Sequence, residues 1–176
     1  MSGGADPLSD LLASPHVTPA TREVLEARRH QTFERRFFTP DEFTRLRAVA
    51  VRLVPHDPAR LDLAGAVDDR LASGVTDGWR YADTPPDAEA CRALLAALPP
   101  DFAGLGGEAQ DAHLRALQDR LPHPFEDLLA DLTETYYSQP DVQYALGSLA
   151  FADAPGWAHV GLDEAEPRER AAGGPS

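Results

Sequence analysis

Six histidines, twenty-nine carboxylates and one thiol are the groups in this chain of 176 residues that could move protons, attack a substrate or ligate a metal. The histidines are His16, His30, His56, His113, His123 and His159, and no two stand at the HxH or HExxH spacing that brings two imidazoles to one ion. Cys91 is the only cysteine, which excludes a thiolate metal site and an internal disulfide; its apolar surroundings in the sequence predict a buried, inert thiol. His56 and Asp57 with Asp62, Asp68 and Asp69 could gather a cation, but a polar turn leading into a solvated helix start accounts for the same residues. Asp68-Asp69 and Glu126-Asp127 are pairs in sequence only, because neighbouring helical residues point in different directions and cannot share a substrate. Ser9, Ser14, Ser73 and Ser138 fall in turns or tails, and none sits in a GxSxG elbow. Gly104-Leu105-Gly106-Gly107 precedes a helix with no strand leading into it, so it reads as a flexible connection and not as a phosphate cradle. The expectation is a chain with no catalytic, cofactor-binding or metal site of its own, and not an enzyme.

The aromatic residues suggest a different kind of chemistry. Trp79, Tyr81, Tyr137, Tyr144 and Trp157 lie in predicted loops or off the helical stripes, and Tyr and Trp in such places are enriched where one protein docks on another. The competing explanation is a mini-core beneath the loops. Four of them, with Tyr136 and the Pro155-Gly156 turn, make the expected partner-binding set: Trp79, Tyr136, Tyr137, Tyr144, Pro155, Gly156 and Trp157.

Those residues must be positioned by helices. Phe125, Leu128, Leu129, Leu132 and Tyr136 recur at helical spacing, and Pro140 predicts an end at Ser138-Gln139. No clean period follows. Thr39-Pro40-Asp41-Glu42 reads as a capping box, flanked by Phe38 and Phe43 as a hydrophobic staple; the helix runs through Leu46, Val49, Ala50 and Leu53 to a stop at Pro55. A helix near Leu63 carries Ala66, Val67 and Leu71 and closes at Gly74. Thr84-Pro85-Pro86-Asp87 predicts another capped helix, with Ala88, Cys91, Leu94, Leu95 and Leu98 on one side. Phe102 and Leu105 fall in a Gly-rich connection, and a helix from about Gly107 uses Leu114, Leu117 and Leu121. Upstream, Leu8, Leu11 and Leu12 mark a tail or brief helix. Pro19 to about Phe33 forms an arm with a thin stripe of Val24, Leu25 and Arg28, expected to order only against a partner or the core. The reading is mostly α: a compact multi-helix domain over 38–160, an N-terminal arm over 1–37 and a disordered tail over 161–176.

Charge narrows the partners. A net charge of -13 argues against nucleic acid, since phosphate contacts need a basic face. The deficit is uneven: residues 1–40 carry five Arg against five acids, so all of it lies downstream. Arg28, Arg29, His30, Arg35 and Arg36 read as a solvated helix face in preference to a docking patch for an acidic surface. Lys, Ile and Asn are absent, consistent with a GC-rich bacterial genome, and low β-branched content favours helix. No apolar run is long enough to span a bilayer, so no direct membrane insertion is expected. No secretory signal is expected at the N-terminus, and Arg35-Arg36-Phe37-Phe38 lacks the apolar stretch of a twin-arginine signal. The chain is expected to be cytoplasmic as encoded, and exported only if a signal-bearing partner carries it.

In order and spacing, several of these segments resemble the gluconate 2-dehydrogenase subunit 3 family, the small or gamma subunit of membrane-associated flavin dehydrogenases. They are Phe38-Thr39-Pro40-Asp41-Glu42-Phe43, then Ala50-Val51-Arg52-Leu53-Val54-Pro55, Ala64-Gly65-Ala66-Val67, Phe125-Glu126-Asp127-Leu128-Leu129, Leu132-Thr133 to Tyr136-Tyr137-Ser138-Gln139-Pro140, and Pro155-Gly156-Trp157. The resemblance covers about residues 38–160. It implies a non-catalytic helical accessory subunit bound to a flavoprotein of the glucose-methanol-choline (GMC) oxidoreductase type, with FAD held by that partner and no cofactor in this chain. The small subunit would support folding, stability, maturation or export of the catalytic one. Two departures stand out: the twin-arginine signal of many relatives is missing, and Asp141-Val142-Gln143-Tyr144 replaces their Gly-Gly-Asn segment. The alternatives are a general helical adaptor without a redox connection, and a metal-binding enzyme using His56, Asp57, His113 and His123.

Overall fold

The helical period of the apolar residues is realised in the computed structural model, which describes residues 6–75 and 85–148. In chain order the helices are α1 Pro7–Ala13, α2 Pro19–Arg29, α3 Pro40–Leu53, α4 Leu63–Ser73, α5 Asp87–Ala96, α6 Gly107–Arg120, α7 Pro122–Tyr137 and α8 Pro140–Ala145, with a 3₁₀ turn at Phe102–Gly104. Among the described residues there is no strand, and the mostly α class holds.

The capping box forms as expected: the Thr39 hydroxyl accepts the Glu42 N–H at 3.3 Å, and the Glu42 carboxylate accepts the Thr39 N–H at 2.8 Å. Burial pushes that carboxyl up, but Thr39 together with the nearby Arg92 and Arg45 holds it below its ordinary value. Gly74 closes α4 at φ 66°, a left-handed conformation that glycine adopts without steric cost. The start of α5 differs from expectation. Pro86 is its N-cap and supplies no side-chain hydrogen bond, while Thr84 lies outside the described residues.

α3 packs on α4, α5, α6 and the 3₁₀ turn, and α7 packs on α4, α5 and α6. Their shared core holds Leu46, Val49, Leu63, Leu94, Leu95, Phe102, Leu117 and Leu132. Phe102, expected in a loose connection, is fully buried; the 3₁₀ turn is short but plugs the core.

Residues 31–38 form a non-helical strap across α4. Asp68 is fully buried, and its carboxylate accepts the backbone N–H groups of Arg36, Phe37 and Phe38, the last at 2.9 Å. Asp69, one residue on, faces outward and pairs with the Arg36 guanidinium. The two carboxylates do diverge, as helix geometry demands, yet they grip the same short segment. Gly65 permits the crossing: a Cβ there would lie 2.7 Å from that of Phe33. Arg92 donates to the Phe37 carbonyl at 3.0 Å and stacks 4.0 Å from the Phe37 ring centroid.

The N-terminal arm orders within its own chain. α1 and α2 bury Leu8, Leu12, Val17 and Leu25 in a second, separate core, and Arg22 caps the connection by donating to the carbonyls of Leu12, Ser14 and Val17. Of the expected stripe, only Leu25 is buried; Val24 is 57% exposed and Arg28 is exposed as well. α2 ends at Arg29, short of Phe33. The basic cluster is not simply a solvated face either. The Arg29 side chain is only 9% exposed and pairs with Asp6 at 2.6 Å and Asp141 at 3.0 Å, while Arg28 donates to the Ser138 carbonyl at 3.1 Å. These contacts seat the arm on α8.

Candidate partner-binding surface

α7 and α8 meet at an elbow made by Ser138 and Gln139. Pro140 cannot continue α7 but fits the first position of a new helix, where its missing N–H costs nothing. No helical period runs beyond Ser138, so the pattern predicts no helix there; six residues are too few to display one. Pro140 followed by Asp141, an acid in a first helical turn, is the signal that could have revealed it.

The elbow opens onto a groove of about 470 Å³. Leu61, Tyr136, Val142, Ala145 and Leu146 supply its apolar lining, and Arg29, His56, Asp57, Arg60 and Asp141 its polar rim. Tyr136 faces inward against the core, with its ring edge-to-face on Tyr137 at a centroid distance of 5.1 Å. Tyr137 is turned outward and 53% exposed, and Leu146 is 65% exposed. Tyr144 is exposed on α8 but does not line the groove. Of the expected partner-binding set, the structure therefore brings Tyr136 and Tyr137 together and leaves Tyr144 nearby. Trp79, Pro155, Gly156 and Trp157 lie outside the described residues. Leu61, Val142, Ala145 and Leu146 were not singled out beforehand, because none is aromatic and their shared face exists only once α8 folds.

The rim is set by Arg29. Asp141 and then Asp6 raise its guanidinium above the ordinary arginine value against the effect of burial, and Arg29 in turn holds the Asp6 carboxyl down at about 2. Arg29 is thus committed to holding α8 in place. Arg60 has no ion-pair partner among the described residues. His56 Nδ1 lies 2.6 Å from the Val54 carbonyl, which can only accept, so Nδ1–H donates to it.

The histidines raised as catalytic or metal candidates do not converge. His113 meets Phe102 edge-to-face and His123 lies near Glu126, both remote in the chain from His56 in the groove. Among the described residues, no group of three or more His, Cys, Asp or Glu side chains is arranged to hold a metal ion. Cys91 is buried and its thiol is pushed up to about 12, first by burial and then by the charge of Asp131. No helix among the described residues is long and apolar enough to cross a membrane. Compared with protein-family models, curated proteins and solved structures, the chain shows no match.

Proposed function

We propose that this chain is a non-catalytic accessory subunit that binds and stabilises a flavin-dependent dehydrogenase or oxidase of the GMC type. The FAD and the chemistry belong to the partner, and this chain contributes a docking surface at the α7–α8 elbow. The observation that supports docking is the concentration of outward-facing Tyr137, Tyr144 and Leu146 beside an apolar groove, on a chain whose surface is otherwise strongly acidic. The flavoprotein identity of the partner rests on the resemblance of the segments between Phe38 and Trp157 to the gluconate 2-dehydrogenase small subunit.

The test is affinity purification of the tagged chain from its native host. A yellow complex containing a GMC-type flavoprotein is expected. Repeated recovery of the chain with other partners and no flavoprotein would leave the helical adaptor as the better reading.

A further inference from the structure

Val142, Ala145 and Leu146 form one wall of the groove at the elbow, so that wall stands only where α8 stands. α8 is poorly equipped to stay there by itself. It has six residues, fewer than the roughly 12 that an isolated helix needs to be even marginally stable in water. Pro140 is its only buried residue, and none of its side chains belongs to either hydrophobic core. It packs on α7, to which Ser138 and Gln139 join it, and on α1 and α2 of the arm.

The arm holds it mainly through one side chain. Arg29 Nε and Nη2 reach the two carboxylate oxygens of Asp141 at 3.0 and 3.1 Å, a bidentate pair that fixes direction as well as distance. The same guanidinium donates to the Asp6 carboxylate at 2.6 Å and to the Ser9 hydroxyl at 3.0 Å, so a residue of α2 ties α1 to α8. Arg28 adds a bond to the Ser138 carbonyl at 3.1 Å, at the elbow itself. The opposite wall has a different support. α7 supplies Tyr136 and Tyr137, and it is anchored in the large core by Phe125, Leu128 and Leu132. One wall is built into the core, and the other is held from the arm.

We propose that Arg29 is the positioning residue of the docking groove: it clamps α8 from the arm, and the groove is complete only while the arm is seated. Its effect on binding rests on the docking role proposed for the elbow; the clamp itself does not. Without the clamp, α8 keeps little beyond its join to α7 among the described residues, and its apolar side chains lose their fixed place in the groove. Linkage makes the coupling reciprocal. Whatever fills the groove and holds α8 must also hold the arm down, α1 included, although α1 lines no part of the groove.

Hydrogen–deuterium exchange of the full chain alone tests the clamp, comparing wild type with Arg29→Gln. The variant should exchange several-fold faster at the α8 amides Gln143 to Leu146, with the α7 amides unchanged. Arg29→Lys keeps the charge but not the two-pronged geometry and should restore part of the protection. The proposal is overturned if α8 exchanges alike in wild type and Arg29→Gln, if α7 speeds up equally, or if wild-type α8 has no protection to lose. Should Arg29→Gln fail to fold, Asp141→Asn removes the other half of the pair and must speed exchange in α1, a helix it is not part of; an unmoved α1 overturns the proposal equally. In the affinity purification, Arg29→Gln should retain several-fold less flavoprotein than wild type. Undiminished retention with a loosened α8 overturns the groove's dependence on the arm. If wild type retains none, the docking role fails and the exchange result still decides the clamp.

Discussion

Leu12 and Leu94 are both completely buried leucines on helices, yet they belong to different cores. Leu94 belongs to a core whose other buried members come mostly from α3, α4, α5, α6, α7 and the 3₁₀ turn. Leu12 shares its site with Leu8, Val17 and Leu25, all from α1, α2 and the connection between them. The large core is a packed solid in which each residue is supported from several directions. The small one depends on where the arm is seated, and that is decided by polar contacts: Arg29 to Asp6 and Asp141, and Arg28 to the Ser138 carbonyl. The difference teaches that burial of a residue does not by itself say how much of the molecule depends on it.

Substitutions can break or sharpen that contrast. Leu94→Ala should have the largest effect, about 4 kcal/mol on global unfolding in denaturant, from lost burial plus an unfilled cavity. Leu12→Ala removes the same atoms but should cost about 3 kcal/mol locally, seen as faster exchange of the α1 and α2 amides with the main transition nearly unmoved. If instead the two variants shift the global midpoint equally, arm and domain are one cooperative unit. Next is the strap that joins them. Asp68→Ala removes the acceptor for the N–H groups of Arg36, Phe37 and the buried Phe38, and should cost about 2 kcal/mol and speed tryptic cleavage after Arg35 and Arg36. Tyr137→Ser should be the smallest, within about 0.5 kcal/mol, because the ring is mostly in solvent; the same variant should lose partner retention in the affinity purification.

Much of the large core was legible in the sequence, because each of its helices is long enough to show a period and carries punctuation. Thr39 and Glu42 read as a capping box and form one; Gly74 read as a terminator and takes the left-handed conformation; Phe125, Leu128 and Leu132 read as a buried stripe and are buried. The misses share a cause: local pattern carries no information about what comes to lie alongside. Asp68 looks like half of a solvated acidic pair until the strap crosses above it. Arg29 looks like a surface charge until Asp141, far along the chain, arrives beside it. Val142, Ala145 and Leu146, which supply much of the groove's apolar lining, needed a helix too short to announce itself. Tyr136 and Tyr137 could be picked out as aromatics near a helix end, but which of them faces outward depends on the packing of α7.

The bonds from Arg28 to Ser138 and from Arg29 to Asp141 span 110 and 112 positions of sequence. A nascent chain leaving the ribosome would present its first two helices long before it has made the residues on which they rest. During synthesis those helices must wait, with their leucines open to chaperones or to other chains, until α8 emerges. Docking of the arm is thereby tied to synthesis of residues 138–141, and a product terminated before them would betray itself by an unseated arm.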